Sequence, residues 1–212
     1  MGRGIAQIFA QAGVTVRLFD AHAPALNSAM QSLAAVFALL QEKGRLTEAQ
    51  AQAAAARIVP AESLEAFSDC DLVIEAIVER LDAKCELLGR LDDVLAPEAV
   101  IASNTSSLSI TAIAASSRHP ERVAGYHFFN PVPLMRIVEV IGGPKTSPDI
   151  LERLSALAKL AGHQPVRAED TPGFIVNHAG RGFGTEALRI LGEGVTDPAT
   201  VDRIMREQVG IN

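Results

Sequence analysis

The sequence predicts an α/β fold with a mostly parallel sheet. Two observations carry that prediction. Short β-branched apolar runs, bounded by charged or turn residues, alternate along the chain with alanine-rich stretches of helical length. In addition, 48% of the 212 residues are hydrophobic, enough to bury a sizeable core in one large domain or in one domain plus part of a second.

The elements follow in order. Residues 1–13 read as a helix with small residues at its mouth, Gly2 and Gly4, leading into strand Val14–Asp20 (VTVRLFD). Pro24–Lys43 has helical length and stops at Gly44, and Thr47–Ala56 is a second helix opened by a Thr cap. Arg57–Pro60 is a short strand candidate. Asp71–Ile77 (DLVIEAI), Ala99–Ser103 (AVIAS) and Val123–Phe129 (VAGYHFF) have the continuous apolar character of buried parallel strands. Helices Leu81–Leu95, ended before Pro97, and Ser109–Ser117 lie between them.

Arg136–Ile141 follows the turn Asn130-Pro131-Val132-Pro133 after too short a connection for a helical crossover, so it is expected to be antiparallel or a bent edge and the sheet to be mixed. A helix Pro148–Ala161 and a last strand Gln164–Ala168 come next. Asp170-Thr171-Pro172-Gly173 breaks the pattern and places a boundary near 170, dividing the chain into 1–170 and 171–212. Helices Gly173–Glu193 and Asp197–Gly210 fill the second part, which is too short to bury its own core and is expected to dock elsewhere.

Nineteen Lys and Arg against twenty-five Asp and Glu give a formal charge of −6, which removes nucleic acid from the expected partners. Cys70 and Cys85 are too few for a disulfide framework, and no histidine stands at metal-ligand spacing from them, so no metal is expected. No uninterrupted apolar stretch approaches 18 residues, and the first residues lack the features of a signal peptide. The expectation is a cytoplasmic protein without a membrane partner.

Parallel strands gather ligand-binding residues just past their C-terminal ends. Asn104-Thr105-Ser106-Ser107 and Gly125-Tyr126-His127 follow neighbouring strands, so Ser106 and His127 are expected close together. Glu139 alternates with valines on a half-buried strand, where a carboxylate requires a partner. A Glu139–His127 pair would fix the imidazole tautomer and raise its proton affinity, as a general acid/base requires. The plainer reading of His127 is a core histidine. In a dinucleotide-binding fold the acid ending the second strand binds the adenine ribose, a position that Asp20 fits and that favours NAD over NADP; its plainer reading is a turn or cap residue.

GRGIAQIFAQAGVTVRLFD, DLVIEAIVERLDAKCELL, ASNTSSLSI, HFFNPVPLMRIVEV and DTPGFIVN, in that order, closely resemble the NAD-dependent 3-hydroxyacyl-CoA dehydrogenase family over essentially the whole chain. The resemblance implies a Rossmann-like doubly wound sheet with an inserted helical hairpin at Pro24–Ala56 and the start of an all-helical C-terminal domain. It implies NAD as cofactor, an acyl-CoA thioester as substrate and a homodimer.

Residue by residue, it makes His127 the base that takes the 3-hydroxyl proton, Glu139 its orienting partner, Ser106 a hydrogen-bond donor to the substrate oxygen and Asn177 a positioning group near C3. Gly2, Asp20, Glu79, Lys84 and Asn104 fall at cofactor positions, and Lys43 meets a CoA phosphate. Read without the family, Ser106 is a cap or turn residue, Asn177 a surface amide, Glu79 and Lys84 exposed charges at a helix start, and Lys43 a solvated helix end. Gly2 and Gly4 alone are ordinary small-residue packing.

The family's first strand and most of its glycine turn have no counterpart in these residues, so the sheet is expected to lack its first strand. Only the opening helices of the C-terminal domain are present. A catalytically inactive fragment or structural relative that keeps the fold without turnover is the competing expectation. The segment Asn177–Leu188 resembles bacterial members of aromatic-acid (phenylacetate) catabolism, which favours a 3-hydroxyadipyl-CoA type substrate over 3-hydroxybutyryl-CoA.

Overall fold

In the computed structural model, which describes residues 1–210, the chain divides into two compact units, Met1–Pro172 and the part from Gly173 onward. The first unit runs α1 (Gly2–Gln11), β1 (Val16–Leu18), α2 (Ala23–Glu42), α3 (Glu48–Ala56), β2 (Ile58–Pro60), β3 (Leu72–Glu75), α4 (Leu81–Val94), β4 (Val100–Ser103), α5 (Ile110–Ala114), β5 (Val123–Phe128), β6 (Ile137–Gly142), α6 (Pro148–Leu160) and β7 (Gln164–Glu169). Strands β3-β4-β5-β6-β7 form a five-stranded sheet in that spatial order. All neighbours are parallel except β5 and β6, which are antiparallel. The fold is Rossmann-like, α/β and mostly parallel, as the alternating pattern predicts.

Local chemistry explains the helices that frame the sheet. Thr47 and Gln50 form a reciprocal capping box, with the Gln50 N–H donating to Thr47 Oγ1 at 3.2 Å and the Thr47 N–H to Gln50 Oε1 at 2.9 Å. Gly44, at φ +65°, stops α2 because only glycine enters the left-handed region without cost. Apolar residues Ile5, Ile8 and Phe9 recur at helical spacing and turn one side of α1 to the core.

That core lies between α1, α6 and one face of the sheet, where Val100, Ala102, Ala124, Tyr126, Phe128, Val138 and Val140 meet Ile150, Leu154 and Ala158. Phe9 sets its ring edge to Phe128 at 6.3 Å, and Tyr126 donates its hydroxyl to the Leu154 carbonyl at 2.9 Å. A smaller core of Leu33, Phe37, Ala51, Ala54 and Ile58 joins α2, α3 and β2.

Strands β1 and β2 pair parallel as a separate two-stranded sheet. Between β1 and β3 lies a cavity of about 1020 Å³, lined by residues 14–21 and 69–78 together with the first residues of α1. Strands β1-β2 and β3-β4-β5-β6-β7 are thus two separate sheets, and residues of both line this cavity.

Several elements are shorter than the sequence predicts. The predicted strand from Val14 begins only at Val16, because the Val14 N–H closes α1 on the Phe9 carbonyl at 3.0 Å. The strand Asp71–Ile77 ends at Glu75, since the Ile77 N–H turns back to Glu75 Oε1 at 2.7 Å. Helix Ser109–Ser117 contracts to Ile110–Ala114, and its last amides, Ser116 and Ser117, tighten to bonds of three residues. Two 3₁₀ turns, Leu64–Phe67 and Pro120–Arg122, have no counterpart in the sequence reading.

The 20-residue helix α2 contains an 18-residue window of mean hydropathy 1.4, so by length and composition it is apolar enough to cross a membrane. Counting uninterrupted apolar runs overlooks it, because Asn27, Ser28, Gln31 and Ser32 interrupt the run without lowering the average below that level. Leu26, Leu33 and Phe37 are its buried residues.

The second unit contains α7 (Val176–Gly192) and α8 (Pro198–Ile204), capped by the Asp197 carboxylate, which accepts from Thr200 N at 3.0 Å. The single predicted helix Asp197–Gly210 gives way to a π turn at Met205–Val209, which closes at Gly210 with φ +76°. No residue of α7 or α8 is buried.

Candidate active site

Strands β3, β4 and β5 end side by side, and their last residues carry an unusual density of buried polar groups. Glu75 closes β3 and is 3% exposed. Its Oε1 accepts from Lys84 Nζ and from Ile77 N, both at 2.7 Å, and its Oε2 accepts from Ser103 Oγ at 2.6 Å. A buried carboxylate is tolerable only with such a set of donors. Lys84 rises from the first turns of α4 with its side chain 1% exposed, and its ammonium also faces Glu79 Oε2 at 3.3 Å.

Glu79 in turn organises the loop after β4. Its Oε1 accepts from Thr105 Oγ1 at 2.6 Å, Ser106 N at 2.8 Å, Ser106 Oγ at 3.2 Å and Ser107 Oγ at 3.3 Å. Burial works against the carboxylate, but the Thr105 hydroxyl, the Ser106 amide and the Lys84 ammonium outweigh it and hold its pKa down to about 2. Asn104 bridges the strand ends, donating its N–H to the Glu75 carbonyl and accepting from Phe128 N at its Oδ1, both at 2.8 Å.

His127 and Glu139 are direct partners in the antiparallel register of β5 and β6. Residues opposed in this way share a face of the sheet with Cβ atoms about 5 Å apart, so the pair follows from the register. Nδ1 lies 2.6 Å from Glu139 Oε2, the carboxylate is fully buried and the imidazole is 5% exposed. The Phe129 ring stacks at 4.4 Å with a 52° tilt against the imidazole. A carboxylate only accepts, so the contact between Nδ1 and Glu139 Oε2 is satisfied by the tautomer that carries a proton on Nδ1.

Asp20 stands exposed past β1 and accepts the His22 N–H at 2.9 Å, the turn geometry that its plainer reading predicts. Together with Gly2, Arg3 and Glu75 it lines the cavity between β1 and β3. A Cβ on Gly2 would reach only Ala76 Cβ at 3.9 Å, an ordinary contact, so packing does not demand this glycine. Gly4 differs, because a Cβ there would stand 3.0 Å from Val132 Cβ, and its role is the close approach of α1 to the loop after β5.

Ser106, Glu79, Lys84 and Asn104 therefore meet in one network, and His127 joins it through the bond of Asn104 to the next residue, Phe128. Exposed charge is the wrong reading for Lys84, because Glu75 draws it inward. The cap of α5 is Ser109, whose Oγ accepts from Ala112 N at 3.2 Å, so of the plainer readings of Ser106 the cap fails and the turn stands. Lys43 lies exposed at the end of α2, outside this network. Asn177 belongs to the second unit, half-buried in the first turn of α7.

Sequence reasoning overlooked Glu75, Ser103 and Asp170. Glu75 was discoverable by the signal that marked Glu139, a lone acid inside an apolar strand. Among the described residues no group of three or more metal-ligating side chains converges.

Comparison with known proteins matches residues 1–171 to the family described as 3-hydroxyacyl-CoA dehydrogenase, NAD binding domain, and residues 173–212 to the C-terminal domain of the same family. The chain belongs to the 3-hydroxyacyl-CoA dehydrogenase family. It is 43% identical over 210 residues to 3-hydroxyadipyl-CoA dehydrogenase of Escherichia coli, spanning 99% of this chain but only 44% of that protein. It is 41% identical over 212 residues to a probable 3-hydroxybutyryl-CoA dehydrogenase of Bacillus subtilis, all of this chain and 73% of that one. The crystal structure of (S)-3-hydroxybutyryl-CoA dehydrogenase from Ralstonia eutropha superposes with a TM-score of 0.94 at 38% identity, covering all of this chain and 75% of the other.

The residues present fit the dinucleotide that the NAD binding domain takes. At the start of the ten-residue helix α1 the Gly4 N–H donates to the Met1 carbonyl at 2.9 Å, and the positive end of the helix dipole lies beside Gly2. Asp20 offers an exposed carboxylate on the same cavity.

Proposed function

We propose that this chain oxidises (3S)-3-hydroxyacyl-CoA thioesters to 3-oxoacyl-CoA with NAD, and runs the reverse reaction. One observation carries this reading: the buried His127–Glu139 pair at 2.6 Å, set beside the loop that carries Asn104 and Ser106 at the C-terminal edge of the sheet. When bound, NAD supplies the acceptor for the hydride from C3. His127 Nε2 takes the 3-hydroxyl proton, and Glu139 holds the ring through Nδ1 and stabilises the imidazolium that forms.

Ser106 donates its hydroxyl to the substrate oxygen, giving up the 3.2 Å contact to Glu79 while its N–H keeps the 2.8 Å bond that fixes the loop. Asn104 and Glu79 hold the nicotinamide side, with Lys84 balancing the charge of Glu79 from below. Asp20 takes the adenine ribose, and the amides beside Gly2 take a phosphate. Asn177 positions the acyl chain near C3, and Lys43 meets a CoA phosphate.

The substrate is a short acyl chain, of 3-hydroxyadipyl type as in the name of the Escherichia coli relative, with 3-hydroxybutyryl-CoA as the competing candidate. Exposed Phe183 and Leu188 on α7 support assembly with a second copy of the chain. The test is acetoacetyl-CoA-dependent oxidation of NADH by the purified chain, with NADH fluorescence read in the same sample. Turnover supports the reading. If NADH neither binds nor is consumed, the chain is a relative that keeps the fold without the reaction.

A further inference from the structure

Asp170 follows β7 directly and precedes the last two residues of the first unit. Its side chain reaches 59 to 61 residues back along the sequence. Oδ1 accepts from Ile110 N at 2.9 Å, while Oδ2 accepts from Thr111 N at 2.7 Å, Thr111 Oγ1 at 2.6 Å and Ser109 Oγ at 2.8 Å. Four donors on one carboxylate exceed what starting a helix requires, and α5, only five residues long, already has its own cap in Ser109. Burial opposes the charge, yet the Thr111 and Ser109 donors prevail and keep the carboxyl below its ordinary pKa.

The consequence falls on the loop between β4 and α5. Glu79 grips it at Thr105, Ser106 and Ser107, and Asp170 grips its last residue, Ser109, and the first two residues of α5, Ile110 and Thr111. Leu108, the residue between the two grips, is tied internally by its N–H to Thr105 Oγ1 at 2.9 Å. A loop fixed at both ends holds Ser106 in one place; without Asp170 the anchor at its trailing end is lost.

We propose that Asp170 is a positioning residue for the dehydrogenase reaction, acting by fixing the trailing end of the loop that presents Ser106. The inference rests on the reading of Ser106 as the donor to the substrate oxygen. The same four bonds fix the point at which the chain leaves the first unit.

Two measurements on Asp170→Asn test it, because the substituted amide must set an NH₂ against donors whichever way it is turned. By amide hydrogen exchange, Ser106 and Ser107 are expected to exchange at least ~10-fold faster than in the parent chain, with residues 123–128 and 137–142 unchanged. Unchanged Ser106 and Ser107 overturn the proposal. Uniform acceleration that includes both strands also overturns it, since Asp170 would then only stabilise the fold.

By steady-state kinetics, the variant is expected to lose about tenfold in kcat with NADH affinity kept within about twofold, and to lose less than about twofold when introduced into Ser106→Ala. A full loss in the Ser106→Ala background shows that Asp170 does not act through Ser106. A parent chain that neither binds nor consumes NADH rejects the dehydrogenase reading by itself, while the exchange measurement still decides whether Asp170 holds the loop.

Discussion

Lys84 sets its ammonium 2.7 Å from the Glu75 carboxylate with both side chains out of water, at the end of a strand whose edge faces the proposed cofactor cavity. The pair is costly to break from one side. Lys84→Met leaves Glu75 with only the Ser103 hydroxyl and the Ile77 amide, and a loss of roughly 3 kcal/mol in urea unfolding is expected. Adding Glu75→Gln should recover a large part of it. A single-variant loss below about 1 kcal/mol would show that the ammonium does not balance this carboxylate.

Glu79 makes a pH-dependent contribution whose sign is fixed by its environment. Its folded-state pKa of about 2 lies below the ordinary 4.5, so its stabilisation is complete above about 4.5 and fades as pH falls toward 2. Urea midpoints measured down this range should drop less steeply for Glu79→Gln than for the parent chain. Parallel slopes would remove the donors on Glu79 as the cause.

Two glycines should respond to alanine with opposite signs. At Gly125 a Cβ would stand 2.9 Å from Ile110 Cδ1 and from both Cβ and Cδ1 of Ile141, so Gly125→Ala is expected to cost about 1–3 kcal/mol. At Gly89, inside α4, nothing lies within 4 Å, and alanine should stabilise by about 0.5–1 kcal/mol. Chemical denaturation of the two variants side by side checks both.

For the reaction itself, His127→Gln should lower kcat by about 10²–10⁴, the usual worth of a positioned acid/base. Glu139→Gln keeps an acceptor opposite Nδ1 but loses the charge, and a smaller fall is expected. NADH affinity should stay within about twofold in both, because neither residue is assigned a cofactor contact. A His127→Gln variant with parental turnover removes the imidazole from the mechanism.

Much of this architecture was legible in the residues. The seven strands, the antiparallel turn after β5 and the His127–Glu139 pair followed from apolar runs, a short connection and a lone acid among valines. Contacts between elements distant in sequence were not legible. Nothing in DLVIEAI announces that Glu75 will collect Lys84 and Ser103, and DTPG reads as a chain breaker because the donors that Asp170 gathers lie some 60 residues earlier. Strands were overestimated where a side chain or a helix terminus claimed a terminal amide, as Glu75 does with Ile77 at the end of one strand and the Phe9 carbonyl with Val14 at the start of another. Propensity cannot register that competition.

The antiparallel turn into β6 has a consequence for how the proposed acid/base pair comes into being. His127 and Glu139 are 12 residues apart on adjoining strands, whereas Asp170 and Thr111 are separated by 59. Loop-closure entropy rises only with the logarithm of the length enclosed, but short-range pairings still form first, before the rest of a sheet has assembled around them. The imidazole and its carboxylate are thus a property of a single hairpin. The register of two neighbouring strands sets the two side chains opposite each other, and the surrounding elements enclose them.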